Sequence, residues 1–454
     1  MTSREQVEIA LDKIQKIDKS GYTLNSVLAL RDAALAEADS YDKSGKALPL
    51  GGQPILIKDN IEAVGLPATA GSLALADTPV DSDSPLVTRL KEAGAIVIGA
   101  TNLSEWANIR STKSTSGWSG VGGLTANPWI HKHSAGGSSS GSGAAVGAGL
   151  VAMAVGSETD GSIICPASLN GCVGIKPTVG SVPREQMIPI SASQDSPGPM
   201  TQTVAQAALL LEVMTGQSGF VSALTEQDGI RIGVVKNWMT SNEGTNALFH
   251  GAVDALAKAG ISITEIDIAD PKDQVGDDEY DVLKHELVSD LGTYLKGRKG
   301  ARVTSLAQVV AFNLQNRDTE MKYFKQEIFD EALQIGGRGP KYQMKRDRNL
   351  NWATMTLGKA LANVDVLIGC SYSPAWVSKL GEGDSFNGSS WITTAPSIAG
   401  APIGAVPMGL VDGLPVGMGV VAARNNEVAL VRAMAAIEKA MGLGVLTPTF
   451  TKDF

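Results

Sequence analysis

Three short stretches of this chain hold residues suited to nucleophilic chemistry. Residues 155–168 read VGSETDGSIICPAS, which sets the hydroxyls of Ser157, Thr159, Ser162 and Ser168 among Glu158, Asp160 and the Cys165 thiol. Residues 134–145 read SAGGSSSGSGAA, and residues 54–61 read PILIKDNI, with Lys58 directly after Ile55, Leu56 and Ile57. A serine nucleophile needs a base to take its proton, and the chain has only 4 histidines. His250 and His285 fall on the helical patterns NALFHGAVDAL and YDVLKHELV, which suits a helix surface or a satisfied core position better than a base. His131 and His133, in WIHKHSA, suit a solvated loop, and no carboxylate cluster beside them suggests a metal site.

The glycine-serine tract admits several readings. GSSSG at residues 137–141 fits the G-x-S-x-G pattern around Ser139. That pattern needs a strand before it and a later histidine, and WIHKHSA is a poor strand. As a phosphate cradle the tract lacks a Lys followed by Ser or Thr, and GSGAAVG misses the dinucleotide-binding spacing by one residue. As a flexible linker it is followed at once by helix-forming and apolar residues. With histidine weak as a base, lysine remains. A lysine with its ordinary pKa near ~10.4 is protonated at neutral pH, but burial favours the neutral amine. Lys58 is either a strand end reaching for solvent or a buried functional group. Asp59 beside it would raise its pKa, whereas neighbouring hydroxyls would leave a neutral amine hydrogen-bonded. Serine–lysine pairs are an alternative to Ser-His-Asp.

The elements that must position these groups read as an α/β protein. Residues 5–19 and 25–41 carry apolar residues at helical spacing and predict two surface helices. PILIK predicts a buried strand, and PLVTRLKEAGAIVIGATN a helix, a glycine turn and a strand. Residues 141–156 predict a small-residue helix running into a short buried strand. TVAQAALLLEVMTG is a helix stopped by Gly216; IRIGVVK is a strand; NALFHGAVDALAKAGISITEIDI is helix, stop and strand. Residues from about 271 are more charged and helical, and VDVLIGCSYSPAW returns to strand and loop. The absence of a Pro- or Ser-rich linker argues one α/β domain over 1–454, with N-terminal helices in 1–50 and a helical insertion at about 271–395 that shapes the substrate pocket. Trp376, Phe386 and Trp391 are candidates to line an apolar acyl site there.

The composition narrows the function. The chain has 454 residues, 43% hydrophobic and 19% charged, with 51 glycines and a net charge of −9. That balance suits a globular protein and argues against nucleic acid as a partner. Cys165, Cys172 and Cys370 make no disulfide or metal pattern. The first residues lack an apolar signal segment, and no window is apolar enough to span a membrane. The expectation is a reduced cytoplasmic protein, or a mature form whose leader was trimmed, that engages no membrane.

PILIKDNI, GGSSSGSGAAVGAGL (136–150) and GSETDGSIICPASLNGCVGIKPTVG (156–180) together resemble the amidase signature family. TNLSEWAN (101–108), SQDSPGPM (193–200) and DGLPVGMGVV (412–421) fit the same pattern, so the resemblance covers residues from about 5 to 440. Within the family, ETDGSI and NLSEWAN are most similar to bacterial peptide amidases, which hydrolyse C-terminal carboxamides of peptides. The resemblance implies a mixed β-sheet core covered by helices on both faces. It implies Ser162 as nucleophile, Ser138 as a bridging serine after a cis peptide bond, and Lys58 as base, without metal or cofactor. It implies an oxyanion hole from the backbone N–H groups of Thr159, Asp160, Gly161 and Ser162. Gly137, Ser139, Asp160, Asp195 and Trp376 take supporting or substrate-binding places, with Asp195 steadying the active-site loops. Most members read T-G-G-S where this chain reads T-D-G-S, and the Asp160 carboxylate would either face or flank the substrate pocket or point into the structure. The implied partner is a small-molecule or peptide amide, and the protein a monomer or homodimer. Two other activities fit the same residues: a broader amide, anilide or carbamate hydrolase, and the glutaminase component of an amidotransferase.

Overall fold

A mixed sheet of eleven strands runs through the computed structural model, which describes residues 1–78, 80–226, 228–386 and 388–452. Across the sheet the strands lie in the order Val27–Leu30, Ile96–Thr101, Pro54–Lys58, Met153–Glu158, Ser196–Thr201, Val173–Lys176, Ile403–Val411, Leu414–Ala422, Val366–Cys370, Arg231–Val235 and Ser262–Ile266. Pro54–Lys58 pairs in parallel with Ile96–Thr101 on one side and with Met153–Glu158 on the other. Arg231–Val235 is likewise parallel to both its neighbours. Antiparallel strands join the two parallel blocks.

The strands of the first parallel block are buried on both faces, which is why they read as continuous apolar runs rather than alternating ones. Lys58 pairs with Thr101, and Ile57 with Val155, so the block ends on one line. Lys58, Ser157 and Glu158 therefore emerge together at the carboxyl ends of parallel strands, where open α/β sheets bind ligands. The small-residue helix Ser140–Gly147 packs against this block with every residue buried. A Cβ at Gly141 would run into backbone atoms of Ser26 and Asn102, so the close approach requires glycine.

Three elements differ from the sequence reading. Val27–Leu30 is not helical: it is an edge strand antiparallel to Ile96–Thr101. Thr23 and Asn25 take left-handed backbone, and the Asp18 carboxylate accepts the Ser26 and Val27 amides, so the chain reverses there and lies along an open sheet edge. The residue 25–41 helix shrinks to Ala34–Ser44, while Ser3–Lys13 continues as a π-helical stretch, Ile14–Lys19. Ser196–Thr201 is a strand despite Pro197 and Pro199. Its pairing to Val173–Lys176 covers only Val173 and Gly174, so much of one side makes no ladder there.

The helix-rich segment comprises Asp273–Gly297, Leu306–Gln315, Arg317–Glu320, Glu327–Ile335 and Pro340–Ala360. Beyond Ala360 the expected 271–395 stretch rejoins the sheet as Val366–Cys370. Leu287, Leu291, Leu295, Ile328 and Phe329 of these helices pack with Trp106, Ile188 and Ile190, which seats the segment against loops of the sheet. Among the described residues no helix is long and apolar enough to cross a membrane. The three cysteines are buried and unpaired with one another.

Candidate active site

Lys58 ends its strand with its side chain wholly buried. Its Nζ donates to Ser138 Oγ at 2.7 Å, to Ser157 Oγ at 3.0 Å and to Ser157 O at 3.1 Å. Burial pulls its pKa down to about 7, against the opposing pull of the Asp195 and Glu158 charges. Asp59 is not its ion partner. That carboxylate turns to the Thr69 amide, at 3.0 Å, and to the Thr69 hydroxyl, and burial pushes it up to about 6. Asp59 lies just past the strand end, in the turn that follows Lys58.

The Gly137–Ser138 peptide bond is cis. Ser138 O accepts from the Ser104 amide at 3.0 Å. A Cβ at Gly137 would collide with the hydroxyls of Ser104 and Ser116, so only glycine fits there. Ser139 donates its amide to Ser162 O at 3.1 Å. Its hydroxyl donates to Ser157 O at 2.9 Å and accepts the Ser157 amide at 3.1 Å. Ser140 Oγ donates to Gly136 O. The glycine-serine tract is thus stitched to the strand end and to the Ser162 turn.

That turn is strapped at both ends. Glu158 Oε2 accepts the Ile163 and Ile164 amides at 2.7 and 2.9 Å, spanning residues 159–162. Thr159 Oγ1 donates to Asp195 Oδ1 at 2.7 Å, and Asp195 Oδ2 accepts the Ile190 and Ser191 amides, each at 2.9 Å. Burial pushes Asp195 up to about 6. Gly161 has φ +74°, and a Cβ there would strike the Tyr372 hydroxyl. Ser162 is 9% exposed, and Ser138 is buried more deeply.

Asp160 turns toward the short helix Thr394–Ala399, where its Oδ1 accepts from Ser397 Oγ at 3.2 Å. Burial raises its pKa, opposed by hydrogen bonds from Thr393 and Ser397 and by the Lys176 charge. Glu279 lies beyond it, held well above the ordinary carboxyl range by burial and by the Asp160 charge. Gln194 Nε2 donates to Glu279 Oε1 at 2.7 Å and to Thr159 O at 3.4 Å. Trp376 packs edge-to-face on Phe386 with ring centroids 5.1 Å apart, and Tyr372 lies 6.2 Å from Phe386. Trp391 is not part of this group. It packs on Trp238 and donates its indole N–H to Asp270.

Two of the histidines are held by contacts of their own: the His285 ring contacts Gly336 O at 2.7 Å, and His131 packs against Tyr22. Among the described residues no group of three or more His, Cys, Asp or Glu is placed to hold a metal ion. Sequence reasoning missed Ser157 and Asn60, which meet at 2.9 Å beneath Lys58, as well as Glu158, Ser104 and Lys176. Ser157 and Glu158 carried a signal, because they end the strand that leads into the Ser162 turn. Ser104 carried none, and Lys176, though it ends an apolar run as Lys58 does, gains its neighbours only through long-range pairing.

The amidase family profile matches residues 5–431. The chain is 33% identical to a glutamyl-tRNA(Gln) amidotransferase subunit of Methanococcoides burtonii, covering 96% of this chain and 94% of that protein. It is 37% identical to a mandelamide hydrolase of Pseudomonas putida over 66% of this chain and 59% of that one. The crystal structure of the native peptide amidase of Stenotrophomonas maltophilia superposes with a TM-score of 0.93 at 37% identity, covering 99% of this chain and 96% of the other. The chain belongs to the amidase family, the amidase signature enzymes that hydrolyse amides.

Proposed function

We propose that this enzyme cleaves linear carboxamides with Ser162 as nucleophile, Ser138 as proton bridge and Lys58 as base, and that its substrates are peptides carrying a C-terminal amide. The observation that carries the reading is the Lys58 amine 2.7 Å from Ser138 Oγ, in a socket whose other acceptors are the uncharged oxygens of Ser157. A neutral Lys58 takes the Ser138 proton as Ser138 takes that of Ser162. Ser162 Oγ then bonds to the amide carbon. Backbone N–H groups of the turn Thr159–Asp160–Gly161–Ser162 receive the charge that develops on oxygen, each worth roughly 3 kcal/mol. The proton returns along the same path to the amide nitrogen, the C–N bond breaks, and ammonia leaves an acyl-enzyme. Water, deprotonated by the same relay, hydrolyses the ester and restores Ser162.

The likeness to a peptide amidase over nearly the whole chain supports the peptide reading. So does the Tyr372, Trp376 and Phe386 group above Gly161, an apolar surface suited to the acyl side chain. A second reading, the glutaminase component of an amidotransferase, has the full-length likeness to the Methanococcoides burtonii protein behind it.

One panel separates these readings. Ammonia release is measured from a peptide amide, mandelamide, free glutamine and an anilide read by its own leaving group, with wild type and Ser162→Ala side by side. Ser162-dependent turnover highest on the peptide amide is expected. Preference for glutamine would move the function to the second reading. Preference for the anilide would keep the relay and change the substrate class. Turnover unchanged in Ser162→Ala would remove the nucleophile assignment.

A further inference from the structure

The segment that holds Ser138 from below is a left-handed turn. Ser104 donates its amide to Ser138 O at 3.0 Å, and its hydroxyl accepts the Gly117 amide at 3.0 Å. Directly after it, Trp106, Ala107 and Asn108 have φ of 46, 52 and 70°. L-residues disfavour that region, and consecutive residues rarely occupy it. Something must therefore hold the turn closed. The Trp106 amide donates to Ala70 O at 2.8 Å, and Asn108 Nδ2 donates to Ser116 Oγ at 3.0 Å.

A further anchor is a cluster of three ionisable side chains. Glu105 is 2% exposed, while Glu320 and Arg110 are wholly buried. Arg110 Nε donates to Glu105 Oε2 at 2.7 Å, and Nη2 lies 2.6 Å from the same oxygen. The rest of the guanidinium donates to Glu320 O, Phe324 O and Lys325 O, and it lies over the Phe324 ring at 4.2 Å. Glu320 Oε1 accepts the Leu73 amide at 2.6 Å. The other two carboxyl oxygens, Glu105 Oε1 and Glu320 Oε2, are buried with no N–H or hydroxyl donor. Glu320 acts directly on Glu105, raising its pKa both by charge and by hydrogen bonding. Two ionised carboxylates are acceptors only and cannot satisfy one another. One arginine also cannot neutralise both in a site closed to water. A single proton between them answers both problems.

We propose that Glu105 and Glu320 share one proton and, with Arg110, form a buried latch that fixes the Ser104 turn beneath Ser138. Arg110 and Glu320 are the charged groups that face Glu105. From the 72–73 loop only an amide and a hydroxyl approach, and Glu327, the next carboxylate along, turns to Ser111 and Thr112. Burial, and then the Glu320 carboxyl, hold Glu105 well above the ordinary range, while Arg110 pulls the other way. The three residues are positioning residues: none is placed to touch a substrate. The positioning role rests on the relay reading of Ser138; the shared proton does not.

Glu320→Gln tests both parts. A glutamine amide oxygen can accept from Leu73, and its nitrogen can donate to Glu105 Oε1, with the charge balance unchanged. The first readout is stability against pH by urea unfolding, which involves no catalysis. A native state holding a proton that unfolded glutamates release loses stability as pH rises above the ordinary glutamate range, about tenfold in the folding constant per pH unit per proton. Glu320→Gln is expected to keep neutral-pH stability and to flatten that slope by one proton, as is Glu105→Gln. The double variant, which strips Arg110 of its counter-charge, is expected to lose about a hundredfold or more in the folding constant. An unchanged slope, with the single variant losing stability as the double does, would mean two ionised carboxylates and would overturn the shared proton. The second readout is kcat/KM against pH on a peptide amide. Loss of the shared proton at high pH would leave two carboxylates facing each other and loosen the latch. An alkaline fall in kcat/KM is therefore expected in wild type, and it is expected to move upward in Glu320→Gln with KM unchanged. An alkaline limb identical to wild type would overturn the positioning role. If the relay itself is wrong, the stability slope still decides the proton.

Discussion

Lys58 and Lys176 end two strands of one sheet, and both are wholly buried. Burial lowers both, to about 7 and about 8. Their neighbours differ. Lys58 donates to two hydroxyls and one carbonyl. Lys176 donates to the carbonyls of Ala401, at 2.6 Å, and Pro177, at 3.2 Å, with the charges of Glu158, Glu427 and Asp160 around it. A lowered pKa therefore does not make a base. A base needs a group in contact that can hand over a proton; a serine hydroxyl can and a peptide carbonyl cannot. Lys58 suits proton transfer. Lys176 suits charge balance beneath the turn, where Glu158 would otherwise stand buried and less compensated.

The sharpest way to break this contrast is to remove each amine. Lys58→Met and Ser162→Ala should each lower kcat by about a thousandfold or more while the fold persists, since members of a relay act as a unit. Lys176→Met should retain measurable turnover. Equal losses in the two lysine variants, with both proteins folded, would erase the distinction. Steady-state kinetics beside circular dichroism decides it.

The pH profile is the next largest effect. The relay needs Lys58 neutral, so kcat/KM should fall about tenfold per unit as pH drops below about 7, the value to which burial brings this amine. Lys176→Met should keep that limb, because Lys176 does not carry the proton. An acid limb that vanishes in Lys176→Met would exchange the roles of the two residues.

Stability separates the lysines in sign. Lys58 has a native pKa below its unfolded one, so the unfolded chain binds the extra proton between about pH 7 and the ordinary lysine value. Its burial therefore costs stability at neutral pH, and the cost fades as pH rises. Lys58→Met should be more stable than wild type near pH 7, by about 1.4 kcal/mol for each pH unit of pKa depression that the pH leaves uncompensated. Lys176, lowered to about 8, carries the same kind of cost, but its charge also offsets the buried Glu158 carboxyl, so Lys176→Met should lose stability on balance. Urea unfolding of both variants at pH 7 and pH 9 tests the opposite signs.

The same pair marks what was legible in the sequence. Lys58 stood out because a charge at the end of PILI breaks an apolar run, and a buried parallel strand leaves few reasons for it. Lys176 follows VGI in the same way, yet its role depends on Ala401 and Glu427, more than two hundred residues away. The parallel block was legible from its apolar runs and glycine stops. The edge strand Val27–Leu30 was not, because short apolar stretches fit either period and an open sheet edge decided the matter. The proline-bearing strand Ser196–Thr201 was hidden for a similar reason: its residues disfavour a sheet, and its neighbours impose one. Asp59 and the neighbouring hydroxyls stood as alternatives beside Lys58, and only the turn past the strand end, where Thr69 holds Asp59, decides between them.

The smallest expected effect separates adjacent serines. Ser138 and Ser139 both lie in GSSSG, and the G-x-S-x-G pattern favours Ser139. Yet Ser139 Oγ is committed twice to the Ser157 backbone, donating to its carbonyl and accepting its amide. A hydroxyl so held has no free proton to relay, and its work is to keep the Lys58 socket in register with the Ser162 turn. Ser139→Ala should cost about 1–3 kcal/mol of stability, the penalty for unpairing buried backbone groups. It should slow turnover by about tenfold through misplacement rather than lost chemistry. The acid limb should stay at about 7, because Lys58 keeps its burial and its Ser138 contact. Ser138→Ala removes the bridge and should lose far more. If Ser139→Ala proved the more damaging of the two in kcat, the proton path would run through the pattern's serine, and the contact between Lys58 and Ser138 would be structural.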